Sequence, residues 1–152
     1  MNGNFEIVEA ELTEQVEKDL VRLSADWAAE NSCYGYYPNG REDLEGNRIF
    51  LAKRDAETVG YLLLHRAEAQ RSSSIMADGT AFYELEELYV SPALRSQGIG
   101  RALYQAAEAA AKAEGVEYLM LSTATKDYRK IFHFYIEEMG MDFWSARLFK
   151  KI

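Results

Sequence analysis

The sequence predicts one α/β domain of the α+β kind, in which helices cover both faces of a mixed sheet. Three observations predict this class. Segments with the period of a strand alternate with segments that have the period of a helix, one strand segment is apolar almost throughout, and no repeat or linker divides the 152 residues. The predicted order is β-α-β-β-β-α-β-α-β, which gives a central sheet of six to seven strands in a single domain over residues 1–152.

The first half of the chain is predicted to contain a strand, a helix, a loop and two further strands. FEIVEA alternates apolar and polar residues as a half-buried strand does. Thr13 is suited to cap the helix that follows. The apolar positions of that helix recur at helical spacing: Val16, Leu20, Leu23 and Trp27. NSCYGYYPNG carries turn signals among its tyrosines and predicts an aromatic loop. NRIFLAKR and TVGYLLLHRA predict consecutive strands, and the second is apolar enough for the middle of a covered sheet.

The second half of the chain is predicted to alternate strands and helices. TAFYELEELYV predicts a strand that ends at Ser91-Pro92, because proline cannot donate to a sheet ladder. A helix is predicted from about Ile99 to Glu114, with Gly115 just past its end. VEYLMLST predicts a strand and DYRKIFHFYIEEMG a helix. DFWSARLFKKI predicts a closing strand near a sheet edge, in keeping with its two terminal lysines.

Composition limits the partners and the compartment. A formal net charge of −8, from 25 acidic and 17 basic residues, repels nucleic acid and favours cationic or amine ligands. Cys33 is the only cysteine, so no internal disulfide forms, and neither cysteine nor histidine spacing indicates a metal site. The N-terminus lacks the pattern of a signal peptide and no apolar run reaches membrane-spanning length. We therefore expect a cytoplasmic protein without a metal, a membrane or a nucleic-acid partner.

Two glycines stand where the acidic strand gives way to an alanine-rich helix. Free N–H groups at the start of a helix attract an anion, and glycine lets a phosphate approach the backbone. Neither the Walker loop nor the dinucleotide fingerprint fits, because Arg101-Ala102 and Leu103 occupy the diagnostic positions. The pattern that fits is Arg/Gln-x-x-Gly-x-Gly/Ala, from Arg95 to Gly100. The alternative is that the glycines only allow close packing of the helix on the strand.

The setting of this pattern resembles a known family. ELEELYVSPALRSQGIGRAL resembles the acetyl-CoA-binding segment of the GNAT superfamily of N-acetyltransferases. HFYIEEMGM is similar to the Phe-Tyr-x-x-x-Gly-Phe element of the same superfamily, with four residues instead of three before the glycine. The predicted element order matches the GNAT fold over essentially all 152 residues. The resemblance therefore implies a GNAT fold and acetyl-CoA as co-substrate.

The resemblance also implies which residues bind acetyl-CoA or coenzyme A. Backbone groups at the end of the acidic strand would hold the pantetheine arm, the loop amides would hold the pyrophosphate, and the N–H of Val90 would stabilise the oxyanion. Each of the two arginines either touches phosphate or is solvated. The expected cofactor-binding residues are Leu88, Tyr89, Val90, Arg95, Ser96, Gln97, Gly98, Ile99, Gly100 and Arg101.

A carboxylate is expected beside the acyl group because an alkylammonium, with a pKa near ~10.4, must lose a proton before attack, at roughly 4 to 5 kcal/mol at pH 7. Glu84 and Glu86 are predicted to share a strand face with Leu88. Glu87 is predicted to project from the other face with Tyr89, and a bulge near position 88 would change this parity. The resemblance implies that Glu84 or Glu86 is the base and that Glu86 or Glu87 anchors the amine. The alternative is that all three are solvated strand residues.

Tyrosines are the remaining candidates. The resemblance implies that Tyr135 protonates the departing thiolate of coenzyme A, although a tyrosine on an apolar helical stripe is often a core residue. Tyr34 and Tyr36 are expected to line the acceptor pocket, or alternatively to cover the core or form a homodimer contact.

The sequence thus predicts an N-acetyltransferase that moves acetyl to a primary amine of a small molecule by direct attack in a ternary complex. The negative charge favours polyamine-like or aminoglycoside-like acceptors. One alternative is acetylation of a protein N-terminus or lysine. Another is a non-catalytic acetyl-CoA sensor or interaction module.

Overall fold

The computed structural model describes residues 4–71 and 74–152, and its central feature is a five-stranded sheet. The strands are Glu6–Ala10 (β1), Arg48–Arg54 (β2), Glu57–Glu68 (β3), Ala81–Val90 (β4) and Leu119–Met120 (β5). They are ordered β1-β2-β3-β4-β5, antiparallel from β1 to β4 and parallel between β4 and β5. The predicted mixed sheet is confirmed.

Helices cover both faces of this sheet, as predicted. They are Glu14–Glu30 (α1), Arg41–Leu44 (α2), Ile99–Ala113 (α3) and Tyr128–Phe132 (α4), and α4 continues into a π-helical turn over His133–Glu138. The apolar stripe of α1 packs against Tyr61 and Leu63, whereas α3 packs against Leu62 and Leu64 on the opposite face. Within the described residues, none of these helices has both the length and the apolar character needed to cross a bilayer.

Helix α1 forms where its sequence signals predict it. The hydroxyl of Thr13 accepts a hydrogen bond from the amide of Val16 at 3.2 Å and so caps the first turn. Leu20 and Leu23 are fully buried one turn apart, so the helix is held by its packing on the sheet. Asn31 ends it in the left-handed conformation, with φ of 53°. This end of α1 lies next to the site described below.

Strand β3 is the covered middle strand that its composition predicts. Residues 58–64 are buried without interruption. Successive side chains point to opposite faces, and here both faces lie under helices. Its position between β2 and β4 makes β3 the rigid support for the acidic strand.

Strand β4 carries a bulge that changes the predicted parity of its glutamates. In the pairing with β3, Leu63 lies opposite Glu87 but Leu64 lies opposite Leu85, so Glu86 is an extra residue. Leu85 and Leu88 consequently both pack on the α3 side. The prediction that Glu84 shares a face with Leu88 is therefore wrong. All three carboxylates belong to the α1 side of the sheet or to the bulge that opens toward it.

The predicted closing strand DFWSARLFKKI is also wrong, and the sheet has five strands instead of six to seven. β5 pairs with β4 at only two positions, so it presents no long edge to which residues 142–152 could add. Alternation of apolar side chains is not sufficient for a strand without such an edge. The segment leaves large apolar side chains exposed: Phe143, Trp144, Leu148, Phe149 and Ile152.

We expect Gly60→Ala to destabilise the fold by about 1–3 kcal/mol, because an added methyl group must displace its surroundings. A Cβ at Gly60 in β3 would lie 2.8 Å from the carbonyl oxygen of Tyr89 in β4, which is backbone and cannot rotate away. Urea unfolding measures the effect. Gly100→Ala is the control, since its Cβ would meet its nearest neighbour, Phe134, at 3.8 Å and should leave stability unchanged or slightly raised. Equal stabilities for the two variants would contradict the close approach of β3 and β4.

Candidate active site

A gap opens between β4 and β5. The two strands pair at Tyr83 and Glu84 only, and β4 continues to Val90 without its parallel partner. The amide of Ser91 donates to the carbonyl of Val59 at 2.9 Å, on the β3 side. Because backbone groups alternate along a strand, those of Val90 and Leu88 face the gap instead. Backbone groups that have no partner in the sheet ladder therefore line one wall of it.

The start of α3 lies at the end of this wall. After a short 3₁₀ turn over Pro92–Leu94, the chain enters the helix through Gly98, whose φ of 85° is left-handed and favours glycine. A Cβ at this position would meet no atom within 4 Å, so the space above the loop is open. Ala102 donates to the carbonyl of Gly98 at 3.0 Å, and none of the preceding amides from 97 to 101 has an acceptor among the described residues. This arrangement is able to receive a phosphate group.

The two arginines near the start of α3 are both paired with glutamates. Nε of Arg95 donates to the carbonyl of Val90 at 2.9 Å, and its guanidinium forms an ion pair with Glu30 at the end of α1 at 2.7 Å. Arg101 lies 3.6 Å from the carboxylate of Glu138. The structure thus places backbone amides at the predicted pyrophosphate position, while both arginine charges are engaged by glutamates.

A short antiparallel bridge spans from the end of α1 to the chain that follows β5. Tyr34 donates from its amide to the carbonyl of Ala124, and Lys126 donates to the carbonyl of Ser32, each at 2.9 Å. Cys33 lies directly opposite Thr125 between these two bonds. The bridge therefore connects the chain after α1 with the chain after β5, and Glu30 at the end of α1 connects through Arg95 to the end of β4.

We expect Thr125→Cys to form a disulfide with Cys33 and to stabilise the protein by about 4 kcal/mol. Residues opposite each other between two flanking bonds have the short Cβ separation that a disulfide requires, and the loop closed between the two positions is long. Urea unfolding with and without dithiothreitol measures the gain. Thr125→Ser controls for loss of the methyl group. Two titratable thiols in the air-oxidised variant would contradict the bridge.

An acidic cavity of about 300 Å³ lies on the α1 side of β4. Three of its lining residues are carboxylates and no lysine or arginine of the described residues lines it. It is lined by Asn39, Asp43, Asn47, Leu63, His65, Glu86 and Glu87. Because a cation is the ligand that such a cavity attracts, the cavity is a candidate site for an amine.

Glu87 lies at the inner wall of this cavity and accepts three hydrogen bonds on one oxygen. Tyr61 donates to Oε1 at 2.6 Å, Asn39 through Nδ2 at 2.8 Å and Tyr36 at 3.2 Å. Burial raises the pKa of the Glu87 carboxyl above its usual range and the nearby Asp43 adds to the rise, while the three donors oppose it. The site therefore contains a half-buried carboxylate that takes up a proton more readily than an exposed glutamate.

The other two candidate carboxylates lie toward the rim. Glu84 of β4 lies opposite His65 of β3 in the register of the two strands. Partial burial and the charge of Glu86 raise the pKa of Glu84, and His65 lowers it. Glu86, the bulged residue, lines the cavity itself. The structure thus places Glu86 in the lining with Glu87 and leaves Glu84 outside it, opposite the lining residue His65.

Tyr135 lies across the sheet from Glu87. It is nine-tenths buried in the cluster under α3 and its ring centroid is 6.1 Å from that of Tyr104. Burial chiefly, and the neighbouring Tyr104, raise the pKa of its phenol above 10. The phenol is therefore protonated at neutral pH, as a proton donor must be, and the end of β4 lies between it and Glu87.

The two loop tyrosines occupy different places. The hydroxyl of Tyr36 reaches Glu87, and burial is the main cause that raises its pKa to about 12. Tyr34 is 55% exposed and its ring contacts Phe149, with the centroids 5.3 Å apart, so it lies away from the cavity. The sequence analysis did not single out Tyr61 or Asn39. In the sequence, Tyr61 has the pattern of a core residue and Asn39 that of a turn residue. Only their hydrogen bonds to Glu87 identify them as residues of the site.

A mixed sheet that opens beside a glycine-entered helix with unbonded amides defines the class of α/β proteins that can bind a phosphate-bearing ligand next to the open strand. The chain belongs to the acetyltransferase (GNAT) family, whose sequence profile matches residues 6–141. The predicted resemblance is confirmed. Family membership indicates acetyl transfer and implies acetyl-CoA as co-substrate, and the open loop at Gly98 with its amides fits the pyrophosphate of that molecule. No curated protein sequence matches this chain significantly.

Solved structures share the fold over nearly the whole chain at low sequence identity. A transcriptional regulator from Bacillus halodurans superposes with a TM-score of 0.72 at 22% identity, covering 98% of this chain and 100% of its own. A putative acetyl transferase from Pyrococcus furiosus gives 0.70 at 18%, covering 98% and 100%. An aminoglycoside acetyltransferase from an uncultured soil metagenomic sample, in complex with sisomicin, gives 0.69 at 16%, covering 97% and 96%. At these identities the likeness shows the GNAT fold alone.

Proposed function

We propose that this protein transfers acetyl from acetyl-CoA to a primary amine of a small cationic molecule. The observation that carries the proposal is the acidic cavity, which Glu86 and Glu87 of β4 line together with Asp43. A polyamine-like or aminoglycoside-like acceptor places one ammonium at Glu87 and another at the rim carboxylates. The cavity is small, at about 300 Å³, and Asn39 of the aromatic loop lines it, which favours a small molecule over a protein segment.

The residues of the chain divide the chemistry between the two faces of β4. Acetyl-CoA supplies a thioester carbonyl when bound. Glu87 accepts the proton that the ammonium must lose, since its pKa is raised and its carboxylate lines the cavity. Glu84 and Glu86 hold the remaining cationic groups. Tyr135, protonated on the other face, donates a proton to the departing thiolate.

This assignment differs from the sequence-based one because of the bulge at Glu86. Glu84 or Glu86 was the predicted base, and Glu86 or Glu87 the anchor, on the assumption of regular alternation. With the extra residue, Glu87 becomes the carboxylate with the most burial and the most hydrogen bonds. We therefore exchange the two roles within the same set of three residues.

Acetyl transfer is tested with a panel of amines, by following release of free thiol from acetyl-CoA. We expect diamines and longer polyamines to be acetylated faster than monoamines of similar size, because the rim carboxylates can bind a second ammonium group. Calorimetry with coenzyme A tests the cofactor site separately. Binding without turnover on any amine would support an acetyl-CoA sensor, and turnover only with peptides would support a protein acceptor. Absence of coenzyme A binding would overturn the proposal.

Homodimer formation through the exposed loop tyrosines stays a prediction.

A further inference from the structure

The three donors on Glu87 come from three separate parts of the chain and meet at one oxygen. Tyr61 belongs to β3, and Tyr36 and Asn39 belong to the loop before α2. All of them bond to Oε1, and no donor among the described residues reaches Oε2. Oε2 is not among the buried polar atoms that lack a partner, so it is the oxygen of Glu87 that remains open to the cavity.

The hydroxyl groups behind Glu87 form a chain with one consistent direction. The backbone N–H of Asn39 donates to Oγ of Ser24 at 2.7 Å. Ser24 is fully buried, and its oxygen lies 2.7 Å from the hydroxyl of Tyr36. Because the Tyr36 hydroxyl donates to Glu87, Ser24 is the donor in that contact. Each hydroxyl then donates once, and the chain ends on the carboxylate.

This polarity favours the ionised form of Glu87. Donors stabilise a carboxylate and would lose a partner on its protonation, so they counteract the burial that raises the pKa. The other titratable groups around it are Asp43 from α2, His65 from β3 and Glu86 from β4. Asp43 adds to the effect of burial in opposing ionisation, and the three donors counteract both, so they favour the carboxylate form in which Glu87 can accept a proton.

We propose that Tyr61, Asn39 and Tyr36 are positioning residues that hold Oε1 of Glu87 and leave Oε2 for the amine. This inference rests on the proposed function, because it concerns the same carboxylate. It adds that residues of the aromatic loop and β3 set the protonation state and the orientation of the base.

The test is Tyr61→Phe, which keeps the buried ring and removes one donor. With an amine that the wild type acetylates, we expect kcat/KM at pH 6 to fall at least tenfold, with a smaller loss at high pH. The acidic limb of the pH profile should move to higher pH, because the charged form of Glu87 has lost a hydrogen bond. Asn39→Leu should move the limb in the same direction.

Tyr83→Phe is the matched control. Tyr83 is a buried tyrosine of β4 whose hydroxyl also donates to a carboxylate, that of Glu114 at 2.7 Å, but it lies outside the cavity. The Tyr83→Phe variant should be less stable than the wild type, but its pH profile of kcat/KM should not move. An unshifted profile in Tyr61→Phe and Asn39→Leu, with the wild type active, would overturn the inference and leave the proposed function intact.

A second measurement does not need turnover. Carbon-13 NMR of glutamate-labelled protein, with Glu87→Gln to assign the signal, follows the titration of Glu87 directly. Tyr61→Phe should move this titration to higher pH, and Tyr83→Phe should not. The same titration curve in wild type and Tyr61→Phe would overturn the inference even if no amine is ever found to react.

Discussion

Glu87→Gln is expected to lower kcat/KM for the amine by 10²–10⁴-fold, the usual range for loss of a general base. The amide can still accept the hydrogen bonds from Tyr61 and Asn39 at Oε1, so the local structure is kept while the proton acceptor is lost. Steady-state kinetics with saturating acetyl-CoA measures the effect. Affinity for coenzyme A, measured by calorimetry, should not change.

Glu114→Gln is the matched control for this substitution. Glu114 also accepts a hydrogen bond from a tyrosine, Tyr83, and pairs with Arg48, but it stands at the end of α3 outside the cavity. Its activity should stay within a few-fold of the wild type. A Glu87→Gln variant with wild-type turnover would assign the base to Glu84 or Glu86 instead.

The pH dependence of stability provides a check on the same carboxylate. Because the pKa of Glu87 is raised in the folded state, its ionisation opposes folding. The contribution of this group to the free energy of unfolding is therefore lost as pH rises from the ordinary glutamate pKa through the raised one. Glu87→Gln should lack this loss and be at least as stable as the wild type at neutral pH, so its inactivity cannot be ascribed to unfolding.

Local signals predicted the parts of the site that depend on backbone conformation. The glycine at position 98 predicted an open helix entry, and the structure has it in the left-handed conformation with no neighbour above it. Thr13 predicted the start of α1 in the same way. Such features are determined by a few neighbouring residues, so the sequence contains them in full.

The arrangement of the carboxylates depends on contacts between distant segments, which local patterns do not contain. The bulge at Glu86 exists only in the register between β3 and β4. The helix α2 is four residues long, too short to show a helical period. Tyr61 has the pattern of any other member of an apolar run, and its role appears only when the register of β3 and β4 places Glu87 within reach of its hydroxyl. The closing strand failed for the same reason, since a strand needs a partner edge as well as a pattern.

Tyr135→Phe is expected to lower kcat by about 10²-fold or more while leaving the affinity for acetyl-CoA unchanged. The ring fills its place in the cluster under α3, so the fold and the cofactor cleft keep their packing, and only the proton for the departing thiolate is lost. Stopped-flow thiol release and calorimetry measure the two quantities. Since an acid must be protonated to act and the pKa of Tyr135 is raised above 10, wild-type turnover should not decline through Tyr135 below that pH.

Tyr104→Phe separates this chemical role from a packing role. Tyr104 is a residue of α3 that is also buried, and its ring lies next to that of Tyr135. The pKa of its phenol is raised by burial and by Glu108. Loss of its hydroxyl should change kcat only a few-fold. Equal losses in the two variants would make Tyr135 a packing residue and leave the thiolate to be protonated by solvent. A large loss in Tyr135→Phe alone would assign the two halves of the proton transfer to opposite faces of β4, with the base on the α1 side and the acid under α3.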